Sequence, residues 1–161
     1  MTDVQGEHPA LARVRAHAAS AGVPVEIRRF PAGTRTADDA ARAIGCEVAR
    51  IVKSLVFLAA GDPVVVLVSG SDRVNESKLA GALGVHAARR ATANEVRETT
   101  GFVVGGVPPF GHKVPTPVVV DSALLRHDVV WAAAGLPDAV FPIRAVDLVR
   151  VSGATEADVR A

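Results

Sequence analysis

Residues 51–69, IVKSLVFLAAGDPVVVLVS, set two apolar, β-branched runs on either side of a turn signal. Such a pattern predicts an antiparallel hairpin, strands 52–60 and 63–69, closed at Gly61-Asp62-Pro63. Lys53 interrupts the first run. Side chains alternate along a strand, so Lys53 is expected to share a face with Ile51, Leu55 and Phe57. Burying an unpaired ammonium costs roughly several kcal/mol, so the amine must be paired, reach an opening or lose its charge. Two readings follow from the strand alone. Lys53 snorkels into solvent at the strand's end, or it serves a pocket.

Outward from the hairpin, helices and strands alternate irregularly. HPALARVRAHAASAG has Pro9 in a first turn, Gly22 as a stop and Leu11, Val14 and Ala18 at helical spacing. VPVEIRRF (23–30) alternates as a strand does. Thr36 caps a short helix carrying Asp38 and Asp39 in its first turn and ending at Gly45. NESKLAGALG (75–84) reads as a helix, and Thr92 to Glu95 as a capping box opening another. His86 falls in an apolar stretch read as a strand. After the Gly/Pro-rich loop 101–117, PVVVD and DVVWAAAG form strands around a helical turn at 122–125. AVFPI is a further strand, and RAVDLVRV a short helix running into a last one. Strands grouped in this way predict an α+β fold: a mixed, mostly antiparallel central sheet flanked by short helices, in one domain spanning residues 1–161.

Composition narrows the function. The 161 residues are 49% apolar and 22% charged with a net charge of +1, which fits a globular protein and argues against wrapping long nucleic acid while permitting a few phosphate contacts. One cysteine, Cys46, rules out an internal disulfide and a multi-thiolate metal site, and the five histidines have no ligand spacing. No metal and no cofactor are expected. The polar start MTDVQGEHPA lacks a signal-peptide pattern, and no apolar run is long enough to cross a membrane, so a cytoplasmic enzyme or binding module is expected.

Besides Lys53, the loop TGFVVGGVPPFGHKVPTP (100–117) is a candidate for chemistry. Gly105-Gly106 ahead of Pro108-Pro109 lets backbone amides approach a ligand on a fixed path, and such amides hold a carbonyl oxygen or a phosphate. A plain surface turn is the alternative for the loop taken alone. His112 sits in the same loop.

ARIVKSLVF, SGSDRVNESKLAGALG, TGFVVGGVPPFGHK and VVVDSALL, in that order, resemble the YbaK/ProX family of aminoacyl-tRNA deacylases, which also occurs as the editing insertion of bacterial prolyl-tRNA synthetases. The resemblance spans about residues 23–151. It matches Lys53 to the family's essential strand lysine and Gly105–Pro109, through Val107 and Pro108, to its G-x-x-x-P loop. Phe30 and Thr36 fall in the stretch before the lysine. The resemblance implies a mischarged tRNA 3′ end as ligand, a synthetase as a further partner, and ester hydrolysis without a metal. The loop amides of Gly105 and Gly106 would hold the aminoacyl carbonyl, and Lys53 would orient the ester or the terminal nucleotide, with water as nucleophile.

One departure bears on specificity. Cysteinyl-tRNA-specific members carry a Ser before Ala-Gly and an Asp soon after. Here those positions read Ala133 and either Val140 or Asp138. A methyl-walled pocket implies a small residue, alanine first, with serine or threonine as alternatives and Ser54 as the polar wall that would favour them. The sequence sets neither the tRNA nor the oligomeric state.

Overall fold

The predicted hairpin lies at the centre of the fold. In the computed structural model, which describes residues 7–161, β2 (Val52–Ala59) and β3 (Asp62–Ser69) pair antiparallel from Val52↔Ser69 to Ala59↔Asp62. Most of the polar start, residues 1–6, lies outside the described residues. The turn is shifted by one residue from the sequence reading. Ala60 (φ 49°) and Gly61 (φ 88°) form it, both left-handed, and Asp62 and Pro63 already belong to β3. Two left-handed residues match the twist of a two-residue hairpin. Because Ala59↔Asp62 closes the turn, Leu58↔Pro63 is a non-hydrogen-bonded pair, and Pro63 removes no donor from that ladder.

The remaining elements are α1 (Pro9–Ser20), β1 (Arg28–Arg29), α2 (Ala37–Ile44), α3 (Glu76–Leu83), β4 (Ala88–Arg90), α4 (Ala93–Thr100), β5 (Val118–Asp121), β6 (Val129–Ala133), β7 (Ala139–Arg144), α5 (Ala145–Ser152) and β8 (Thr155–Ala157). Short 3-10 turns cover Val48–Arg50 and Ser122–Arg126. The helix ends follow the capping residues. Asp39 N donates to Thr36 Oγ1 (3.0 Å), Lys78 N donates to Asn75 Oδ1 (2.9 Å), and Thr92 and Glu95 complete their reciprocal box.

The strands divide between two sheets. The larger has the order β4-β2-β3-β5-β8 and the smaller β1-β7-β6. Four pairings are antiparallel, while β3-β5 and β5-β8 are parallel, so the α+β, mostly antiparallel expectation agrees with the structure. The main core fills the space between the sheets, with Val52, Val56, Val65 and Leu67 facing Val130, Ala132 and Phe141. Leu11 and Val14 of α1 and Leu148 and Val151 of α5 extend it. On the outer face of the larger sheet, Phe57, Val64 and Val66 pack under Leu79 of α3. β3 is therefore covered on both sides, which explains its unbroken apolar run.

Three further readings are corrected. The strand expected over 23–30 pairs only at Arg28 and Arg29, although Val23 and Val25 are buried as the alternation required. Asp138 O accepts from Phe30 N (2.8 Å) and Val140 faces Arg28, so residues 138, 140 and 142 address that edge. Pro142 brings no N–H to it, and the ladder stops. His86 lies in a bend ahead of β4. Ile51 also leaves the predicted face: it packs with Ala40 and Ala41 of α2 and makes a single bridge to Trp131 of β6. That bridge joins the two sheets.

Candidate active site

At this junction, between the two sheets and the first turn of α2, lies a pocket of about 410 Å³. β2 supplies Lys53 and Ser54, β6 and β7 supply Ala133 and Val140, α2 begins at its rim with Thr36 as cap, and the loop contributes Gly105 and Val107. Those seven residues, scattered along the sequence, are brought together. Trp131, Arg35 and Val104, which the sequence reading did not single out, also line the pocket. A lone tryptophan on a strand of small apolar residues was the available signal for Trp131.

Lys53 is half-buried and Nζ donates to the backbone carbonyl of Asp72. Burial pushes its pKa down from 10.5; Arg73 and Arg90 add to that, while Asp72 and Asp38 act against it. The amine is thus fixed by a neutral acceptor at the pocket wall. Snorkelling into open solvent does not describe it. Its neighbour on the other face of β2, Ser54, has a hydroxyl that is buried and unpartnered, the sole such side-chain atom among the described residues. A polar atom left in that state costs about 1–3 kcal/mol until something pairs with it.

The loop is held at both ends. Phe102 is buried beneath the Arg13 guanidinium (4.9 Å to the ring centroid), and Phe110 packs between His17 (5.3 Å) and Phe141 (5.6 Å). His112 Nε2 bonds the Pro108 carbonyl at 2.7 Å, and burial pushes the imidazole pKa down, so the ring braces the loop from behind. Pro108 and Pro109 are buried and, like His112 and Phe30, do not line the pocket.

The Gly106 amide is engaged within the loop. Its N–H donates to Val103 O (2.9 Å), closing a turn whose third residue is Gly105 at φ 92°. A side chain at Gly106 would meet the Leu136 backbone at 2.9 Å, so this glycine permits close packing of loop on chain. The Gly105 and Val107 amides donate to no acceptor among the described residues, and these two residues face the pocket. They, and not Gly106, are the available donors.

Of Val140 and Asp138, only Val140 lines the pocket. Val140 pairs with Ala133 across β6-β7 and both line the pocket, whereas the Asp138 carboxylate turns away to Arg29 at 2.8 Å. Among the described residues no group of three or more His, Cys, Asp or Glu side chains could hold a metal, and no helix is long and apolar enough to cross a membrane.

An α+β scaffold here gathers a constrained amine and a braced glycine loop around one small, largely apolar pocket. Residues 31–151 match the model of the aminoacyl-tRNA editing domain, and the chain belongs to that family. It is 34% identical to the uncharacterised YwhH protein of Bacillus subtilis (strain 168) over 125 residues, 78% of this chain and 80% of that one. It is 36% identical over 97 residues to the proline–tRNA ligase of Limosilactobacillus fermentum (strain NBRC 3956 / LMG 18251), covering 57% of this chain but only 17% of the ligase. A solved structure described as a proposed trans-editing enzyme for prolyl-tRNA synthetase superposes with a TM-score of 0.90 at 41% identity, covering 97% of this chain and 99% of that one.

Proposed function

We propose that this protein is a trans-editing hydrolase of the cytoplasm that removes a small, wrongly attached amino acid from the 3′ end of tRNA. The observation that supports it most is the convergence of Lys53 with the unengaged Gly105 and Val107 amides on one small apolar pocket. In this reading water attacks the ester carbonyl, and negative charge grows on the carbonyl oxygen. The loop amides stabilise that charge, and the ribose hydroxyl leaves with a proton. Lys53, anchored on Asp72 O, orients the ester or the terminal nucleotide. The low net charge of +1 leaves room for a synthetase to hold the tRNA body. A deacylation assay on a panel of mischarged tRNAs tests the reading. Catalytic release of amino acid supports it. Stoichiometric binding without release would make the protein an aminoacyl-tRNA binding module instead.

Specificity follows from the wall. Ala133 and Val140 offer methyl groups where a thiol-selecting site needs polar ones, so alanyl-tRNA is expected to be cleared faster than cysteinyl-tRNA, by about tenfold. Single-turnover rates on the same tRNA decide this, and faster release of cysteine would reverse the assignment. The unpartnered Ser54 hydroxyl bears on the same measurement. Ser54→Ala is expected to slow release of serine more than that of alanine, because only a substrate hydroxyl gains a partner there.

A further inference from the structure

A second groove of about 300 Å³ adjoins the pocket and shares Lys53 and Leu55 with it. It lies over the outer face of the larger sheet, where Phe57 forms part of its wall. Arg73 and Arg90 flank it, so with Lys53 it gathers three cations against a single acid, Glu76 in the first turn of α3. In a chain of net charge +1 that is a local concentration of positive charge. Neighbouring arginines are neutralised: Arg89 pairs with Glu95 at 3.0 Å and Arg160 with Asp72 at 3.9 Å. Among the described residues, neither Arg73 nor Arg90 has a carboxylate partner.

Both cations sit on ordered supports. Arg90 pairs with Phe57 across β2-β4 and its guanidinium lies 5.7 Å from that ring's centroid. The Arg73 carbonyl accepts from Ala161 N at 2.8 Å, and the adjacent Val74 bridges to Arg160. The groove also lacks an aromatic platform for bases, since Phe57 is only 2% exposed. Its chemistry suits phosphodiesters, read by charge and without regard to base.

We infer that this groove binds the phosphates of the single-stranded nucleotides immediately 5′ of the terminal nucleoside, the RNA strand passing from the pocket over Lys53 to lie between Arg73 and Arg90. The inference deepens the hydrolase reading and rests on it for the choice of RNA as ligand. Continuity favours a polymer over a free anion, because the groove shares a wall with the pocket that would hold the strand's end.

The test uses a 5′-labelled, uncharged oligoribonucleotide ending in CCA, with binding followed by fluorescence anisotropy across a salt series. Arg73→Ala/Arg90→Ala is expected to weaken binding by about tenfold or more. The slope of log affinity against log salt should shrink by about 0.7 for each phosphate that the variant no longer neutralises. Glu76→Gln should tighten binding, by removing the carboxylate that lines the groove. On mischarged tRNA the double variant should raise KM far more than it lowers kcat. Unchanged affinity and salt slope in a folded double variant would overturn the inference, as would binding of inorganic phosphate but not of the oligonucleotide. Arginine-dependent RNA binding without any deacylation would keep the groove and sink the hydrolase. Deacylation with an unaltered KM in the double variant would do the reverse.

Discussion

Replacing Lys53 with methionine is expected to cut deacylation by about 100-fold or more while leaving the protein folded. The loss comes from removing a group fixed on Asp72 O at the wall where the ester is proposed to sit. Methionine keeps most of the aliphatic stem, so the packing around position 53 of β2 survives. The melting temperature should hold or rise at neutral pH, for an electrostatic reason. Burial and the two nearby arginines push the Lys53 pKa below its ordinary 10.5, so the folded state disfavours the charged form. Between the folded pKa and 10.5 the unfolded chain binds more protons, and stability rises with pH in that window. Below the folded pKa the penalty is fully present. The stability advantage of Lys53→Met should therefore shrink as the pH is raised towards 10.5, which thermal denaturation across a pH series would show. Wild-type turnover by the folded variant would refute the site.

Gly106→Val is expected to have the second-largest effect, and through a different link. Its Cβ would stand 2.9 Å from the Leu136 backbone, which has no flexible end to yield. Overpacking of this kind costs about 1–3 kcal/mol, and the loop must move to relieve it. Displacing the loop carries the Gly105 and Val107 amides away from the pocket, so turnover should fall by about tenfold or more. Gly105→Val meets chiefly the Arg35 side chain, at 2.7 Å, but places a branched residue at φ 92°. It is expected to disturb the turn and the pocket rim together. Melting curves with single-turnover rates separate the two variants. If both fold with unaltered stability and rate, the amides beside them are not the oxyanion donors.

Much of the fold was legible because local chemistry and tertiary contacts agree. Thr36, Asn75 and Thr92 start helices by satisfying free amides, an event complete within four residues of chain. The 52–69 hairpin is likewise local, and its two β-branched apolar runs around a turn signal predicted the paired strands. The turn was misplaced by one residue because Ala60 adopts a left-handed conformation that its sequence does not advertise. The strand at 23–30 failed for a non-local reason. Its alternation set which side chains are buried, but a ladder also needs a partner edge, and Pro142, more than a hundred residues away in sequence, takes a donor from that edge.

The candidate site divides along the same line. By itself the sequence determined the chemical types: a lysine inside an apolar strand, a glycine-proline loop, and small apolar residues such as Ala133 and Val140. Each can be read from its own neighbours. Which of them meet was decided by tertiary structure alone. The meeting of two sheets at the Ile51–Trp131 bridge gathers Lys53, Ser54, Ala133, Val140 and Val107 around one pocket, while Asp138 pairs with Arg29. The same packing engages the Gly106 amide with Val103 and sets His112 behind the loop. Directions of side chains and the engagement of amides depend on elements distant in sequence, and no spacing along one chain encodes them.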